Sequence, residues 1–193
     1  MSPRAIPRFK PADFAAPRAR SSAARSEEIR FVTGQSTLGA LLIAFSDEGV
    51  VAILMRDHGE ALLDELQEWF PLAHLVAGDR SDASLLRKLT AHIEKPVGEL
   101  DLPLDFRGTA FQQKVWKAVR DIPLGETSTY TEIARKIGKP KAIRAVGNSC
   151  SNNKLAIVVP CHRVLRSDGS LSGGSDWGTS RQGKLLERES AAK

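Results

Sequence analysis

The sequence predicts a small α/β unit followed by a helical unit, on three observations. Short strand-like apolar runs come first, amphipathic helical stripes follow them, and two helix-start signals punctuate the C-terminal half. A hydrophobic fraction of 41% over 193 residues is enough for a real core, so the chain is not a disordered protein.

Taken in order, residues 1–26 carry four prolines, many Ala and Ser, and no periodic apolar pattern. They read as a disordered basic arm ending at residue 28, either attracting a polyanion or trailing passively. Residues 29–33, 41–46 and 50–55 are strand-like, and Asp47-Glu48-Gly49 between the last two is a hairpin signal. Leu62, Leu63, Leu66 and Phe70 stripe a helix over residues 59–70, and residues 84–93 repeat the pattern. This α/β unit, residues 29–105, holds no nucleophile–base pair, and its default role is scaffold.

Residues 106–193 form the helical unit. Thr109-Ala-Phe-Gln112 is a capping-box pattern, followed by Phe111, Val115, Trp116 and Val119 on one face. Thr129-Tyr-Thr-Glu132 is a second capping box, opening a short helix through Ile133 and Ile137 that stops at Gly138. Lys139-Pro140 then starts a further helix bearing Lys141 and Arg144, with proline in its tolerated first turn. Helix, short Gly-containing turn, helix is the helix-turn-helix pattern, which serves plain packing as well as DNA binding.

Charge separates the halves. Residues 1–26 hold six Lys/Arg against one Asp, residues 27–106 six against fifteen acidic groups, and residues 107–193 sixteen against seven. An acidic middle and a basic C-terminal half suggest that only the latter meets a polyanion; solvated faces that differ by chance would give the same count. The N-terminus has positive charges but no following apolar segment, so no signal peptide is read. The apolar run at 155–160 is far too short to span a bilayer. The expectation is a soluble, cytoplasmic protein with no membrane partner.

Cys150 and Cys161 do not make a disulfide framework, and the expected compartment is reducing. His58, His74, His92 and His162 have no cysteine pair near them, so no metal site is expected. The apolar run 155–159 delivers Pro160-Cys161-His162-Arg163. A cysteine there is either a thiolate activated by its histidine or a small buried hydrophobe. Adjacent residues of an extended chain point apart, so the backbone must bend for His162 to reach Cys161.

Pro160-Cys161-His162-Arg163-Val164 resembles the active-site motif of the O6-alkylguanine-DNA alkyltransferases. Gly108-Thr-Ala-Phe-Gln-Gln-Lys-Val-Trp116, Ile122-Pro-x-Gly-Glu-Thr127, Tyr130, Gly138-Lys-Pro-Lys-Ala-Ile-Arg-Ala-Val146, Asn153-Lys-Leu-Ala and Ser167-Asp-Gly-x-Leu-Ser-Gly173 stand in family order. The resemblance covers residues 29–190 and is nearest the C-terminal module of Ada-type proteins, whose branch Cys150 and Trp177 also resemble. The Ada N-terminal zinc-binding region has no counterpart here.

The resemblance implies an RNase H-like scaffold followed by a helical, winged helix-turn-helix-type alkyltransferase domain. It implies single-turnover transfer of an alkyl group from O6-alkylguanine, or O4-alkylthymine, in double-stranded DNA to Cys161. His162 would be the base through a water, and Glu189, on the inward face of the last helix, would orient it. Arg144 would fill the stack left by the flipped base, or contact phosphate. Tyr130 would turn the target phosphate and give a proton toward guanine N3, or merely pack. Asn153 would be the hinge between the second helix and the active-site strand. Thr129, Lys141, Ala145 and Gly147 would meet DNA in the minor groove. Val164, Ser172, Gly173 and Gly174 would line the base pocket, with no cofactor and a monomeric protein. One departure stands out: the family places Tyr after Gly173, whereas this chain reads Gly173-Gly-Ser-Asp-Trp-Gly178, one residue longer. Loss of that ring implies a weaker pocket wall, and with it either slower transfer or a wider range of tolerated alkyl groups, with the loop's backbone N–H groups still able to bind O6. Three other readings fit parts of the chain: a lesion-binding protein without transfer, an Ada-like transcription regulator, and a cysteine hydrolase.

Overall fold

A computed structural model describes residues 27–98, 100–172 and 178–192. Residues 1–26 of the basic arm, Gly173, Gly174 and Trp177 therefore lie outside the described residues. The expected end of a disordered arm at residue 28 is corrected: Glu28 begins a strand and Glu27 pairs with Arg107. Strands β1 (Glu28–Ser36), β2 (Gly39–Ser46) and β3 (Gly49–Arg56) form an antiparallel meander, and helix α1 (Glu60–Trp69) follows. A fourth strand, β4 (His74–Ala77), pairs in parallel with β1 and gives the order β3-β2-β1-β4. This four-residue strand has no counterpart in the sequence reading. Helix α2 runs Arg80–Glu94, four residues ahead of its expected start. Asp79 caps it, taking the Ser81 and Asp82 N–H groups on its side chain.

The sheet is buried on both faces. Along β2, Leu41, Ile43 and Phe45 face one apolar cluster, and Ala40, Leu42 and Ala44 face the other, as period-2 side-chain alternation requires. A register shift beside Ala44/Phe45 leaves Val51 and Ala52 of β3 both on the second side. That second cluster packs Leu62, Leu66 and Phe70 beneath α1. The first gathers Leu86, Leu89 and Ile93 of α2 with Val115, Trp116 and Val119 of the next helix. Residues from both sides of position 105 thus share one core. At the β2–β3 turn, Gly49 (φ 145°) leaves no room for a side chain, since a Cβ would stand 2.6 Å from the Pro103 carbonyl oxygen.

Helix α3 (Ala110–Arg120) begins with the expected capping box of Thr109 and Gln112. The Trp116 indole N–H donates to the Ser149 carbonyl (2.8 Å), fixing α3 against a later helix. The two-residue strand β5 (Ser128–Thr129) leads into α4 (Tyr130–Lys136), capped by Thr129 and Glu132 as expected. Gly138 (φ 72°) ends α4 in a Schellman motif: its N–H reaches the Arg135 carbonyl, and the Lys139 N–H reaches that of Ala134.

Two expectations need correction here. Helix α5 covers Ile143–Ser151, so Lys139-Pro140 does not open it; residues 139–142 turn, with the Ala142 N–H on the Lys139 carbonyl (2.8 Å). Lys141 lies in that turn and not on the helix. The run 155–159 is not a strand either, as the site geometry shows below. Strand β6 (Val164–Leu165) pairs in parallel with β5, and α6 (Gly178–Ala191) closes the chain. None of the described helices is long and apolar enough to cross a membrane.

Candidate active site

The bend that brings the motif together is built from two tight turns. Ile157 takes φ 70°, and the Val158 N–H bonds to the Ala156 carbonyl (2.8 Å), a γ-turn of the strained, positive-φ kind. Pro160 (φ −79°, ψ 62°) with the Cys161 N–H on the Val159 carbonyl (2.8 Å) is the inverse γ-turn. The Val159 N–H closes back on the Leu155 carbonyl (2.9 Å), and Cys161–Arg163 continue as one 3-10 turn. A strained β-branched residue persists only where its surroundings hold it. Here Asn153 supplies much of that hold. Its amide donates to the Val159 carbonyl (2.9 Å) and accepts from the Leu155 N–H (2.9 Å). The Ile53 N–H of β3 holds the Lys154 carbonyl (2.7 Å), which ties the turn to the sheet.

The Asn153 amide also points at the Cys161 sulfur (3.4 Å). Cys161 is buried. A hydrogen bond with the Cys150 thiol, then burial, push the Cys161 thiol well above its ordinary value; Asn153 pulls weakly the other way. At neutral pH Cys161 is a protonated thiol and needs a base to attack anything.

His162 and Glu189 meet at 2.7 Å, imidazole Nε2 to carboxylate Oε1, both buried. Arg163 grips the same carboxylate with Nε (2.9 Å) and Nη2 (3.0 Å) and places Nη1 on the Ile122 carbonyl (2.6 Å). Burial alone would raise the Glu189 carboxyl, but hydrogen bonds and charge from His162 and Arg163 outweigh it and hold it at about 2. Burial lowers the His162 pKa more than Glu189 raises it, and the Arg163 charge adds to the lowering. The imidazole is therefore neutral beside an ionised carboxylate. A carboxylate only accepts, so Nε2 carries the proton and the lone pair stays on Nδ1.

Tyr130, at the first position of α4, is half-buried, and its ring lies 4.0 Å from where a Gly147 side chain would begin. Burial raises its phenol above the ordinary value, and a hydrogen bond with Ser172 opposes this. Ser172 leans on Val164, its hydroxyl 3.4 Å from that carbonyl. Arg144, Ala145 and Lys141 are exposed on α5 and the turn before it, next to half-buried Thr129 and Gly147.

A family profile described as "6-O-methylguanine DNA methyltransferase, DNA binding domain" matches residues 110–191. The methylated-DNA–protein-cysteine methyltransferase of Mycobacterium bovis is 39% identical over 161 residues, covering 83% of this chain and 92% of the relative. This chain belongs to the methylated-DNA–protein-cysteine methyltransferase family. The bifunctional transcriptional activator/DNA repair enzyme Ada of Escherichia coli is 48% identical over 161 residues. The match covers 83% of this chain but 45% of Ada, so the chain spans about half that relative's length. Among solved structures, Mycobacterium tuberculosis OGT in complex with DNA superposes with a TM-score of 0.71 at 36% identity. That match covers 86% of this chain and 94% of the other. The methyltransferase of Pyrococcus kodakaraensis, at 20% identity and a TM-score of 0.61, shares the fold.

Within this methyltransferase framework the structure brings Cys161, Asn153, His162, Glu189, Tyr130, Val164 and Ser172 into one region, and leaves Arg144 and Lys141 outside it in solvent. Three neighbours escaped the sequence reading as site residues. Arg163 was quoted within the motif without a part to play, although a guanidinium next to a buried dipeptide signals a carboxylate partner. Cys150 sits one helical turn before Asn153, whose N–H bonds to its carbonyl (3.2 Å). Gln182 stands three and seven residues before Leu185 and Glu189, the spacing of one inward helix face.

Proposed function

We propose that this protein repairs O6-alkylguanine in double-stranded DNA by moving the alkyl group onto Cys161, once and irreversibly. The observation that carries the reading is the grouping of buried Cys161, His162 and Glu189 with half-buried Asn153 in a chain of this family. The neutral imidazole supplies the base. His162 takes the thiol proton on Nδ1, through a water, while Glu189 holds Nε2–H. Sulfur attacks the alkyl carbon, the carbon–O6 bond breaks, and the electron pair returns to the purine. Tyr130 gives a proton toward guanine N3 as that charge develops, and the proton taken from sulfur makes good the exchange. The products are guanine and a thioether, and a thioether offers no leaving group to a second reaction. One molecule repairs one lesion, with no cofactor.

The finer assignments follow from the same reading. Residues 29–105 act as an RNase H-like scaffold and residues 106–193 as a winged helix-turn-helix unit, supported by the α4–turn–α5 arrangement and the β5–β6 pair. A base stacked in a duplex is out of reach of a buried thiol, so it is flipped out. Arg144 then occupies the vacated stack, and Thr129, Lys141, Ala145 and Gly147 meet the minor groove. Val164, Ser172, Gly173 and Gly174 wall the base, and the protein acts as a cytoplasmic monomer. Intact mass after incubation with methylated duplex tests this: one added methyl group per molecule, on Cys161, is expected at saturation. A folded protein that binds the duplex and gains no mass overturns it.

A further inference from the structure

Gln182 has no part in the chemistry above, yet α6 buries its side-chain amide at 3% exposure. Burying an amide is costly unless both its ends are bonded, and here both are. Its N–H group donates to the His162 carbonyl (3.0 Å) and leans toward the Val164 carbonyl (3.4 Å). Its oxygen accepts the Ser172 N–H (3.1 Å). Ser172 in turn bonds to the Tyr130 phenol. One side chain thus joins the backbone of the thiol turn to the residue that steadies the tyrosine.

We infer that Gln182 is a positioning residue that fixes the spacing between the Cys161 turn and the Ser172–Tyr130 side of the base pocket, and so sets the maximal rate of alkyl transfer. The inference rests on the proposed repair reaction, in which the alkylated base lies between those two sides. Sulfur attack and proton donation occur on opposite edges of one base, and misplacement by about 1 Å costs on the order of 10²-fold. A leucine of similar size would fill the volume and leave the Ser172 N–H and two carbonyls without this partner. The amide is needed because it donates at one end and accepts at the other.

Two variants divide those ends. Gln182→Glu keeps the acceptor for Ser172 and loses the donor to His162 and Val164; Gln182→Lys does the reverse. For each, the methyl-transfer rate is measured against duplex concentration, and the iodoacetamide rate at Cys161 is measured without DNA from pH 6 to 9. In both variants the rate at saturating duplex falls about tenfold, the cost of one buried hydrogen bond. The half-saturating duplex concentration stays at the wild-type value, and at each pH the iodoacetamide rate changes less than the transfer rate does. An unchanged saturating rate in both variants overturns the inference. So does a fall matched by the iodoacetamide rate, because Gln182 would then support the thiol turn alone. If wild type gains no methyl group, the repair reading itself fails, and the variants are not needed to show it.

Discussion

The interior around the Cys161 turn and the exposed start of α5 are built on opposite principles. In that interior, buried His162 and Arg163 share the Glu189 carboxylate, and the Ile122 carbonyl takes a further guanidinium N–H. Elsewhere, on α5 and its preceding turn, Lys141, Arg144 and Ala145 stand in solvent. Under the proposed reaction the inner groups serve stability and chemistry together, so changing one is expected to move both. The outer groups contribute little to the fold, so changing one moves only what meets that surface. The comparison can be broken from either side.

The largest effect belongs to the thiol. Cys161→Ser should cut adduct formation by roughly 10³-fold or more, because a serine hydroxyl titrates far above any thiol. Intact mass with methylated duplex reads the loss, and duplex affinity should hold.

Next comes the inner network. Glu189→Ala leaves the Arg163 guanidinium buried without its carboxylate and should cost about 3–5 kcal/mol in urea unfolding. The pH dependence has a defined direction. Glu189 sits at about 2 in the fold against an ordinary 4.5, so its contribution is full above about 4.5 and disappears as pH falls toward about 2. His162 is also lowered by burial, so below its ordinary 6.5 the unfolded chain takes up that proton first. Both groups therefore weaken the fold on acidification. Urea midpoints from pH 7 to pH 3 should fall in the wild type and fall less steeply in Glu189→Gln.

The outer face should behave differently. Arg144→Ala should slow methyl transfer about tenfold while leaving the urea midpoint within about 0.5 kcal/mol of wild type. Its salt dependence separates two parts. Loss of a phosphate contact reduces the slope of log affinity against log salt by about 1, whereas loss of a group inserted in the base stack changes the rate and leaves that slope alone. The smallest effect is expected for Lys141→Ala, a few-fold loss of duplex affinity with the slope reduced by about 1.

How far these features could be read beforehand depended on how local their causes are. The strands of the meander follow from alternation within each run, and both capping boxes follow from residues three apart. Strand β4 was missed because four residues, His74-Leu-Val-Ala77, show too little alternation, and its parallel partner lies far back along the chain. The start of α5 was misplaced because proline suits a first helical turn, whereas Ala142 at the actual start offers no side-chain cap. The Cys161, His162, Glu189 and Asn153 positions were legible through the family motif, although 155–159 was misread as extended. No residue type in that run announces a positive φ at Ile157. Arg163 and Gln182 look like surface residues in isolation. Only the packing of α6 against the thiol turn makes them internal.

The hydrogen bond from Ile53 to Lys154 bears on how this chain can change over evolutionary time. A cut at position 105 divides the sequence into two tidy cassettes, but the centre of β3 holds the backbone leading into the Cys161 turn in place. Exchanging the first cassette for an unrelated one would remove a donor from Lys154 and the apolar sheet face shared with α3. Any recombined protein has to inherit that strand face along with the thiol, and the two halves are expected to drift as a pair.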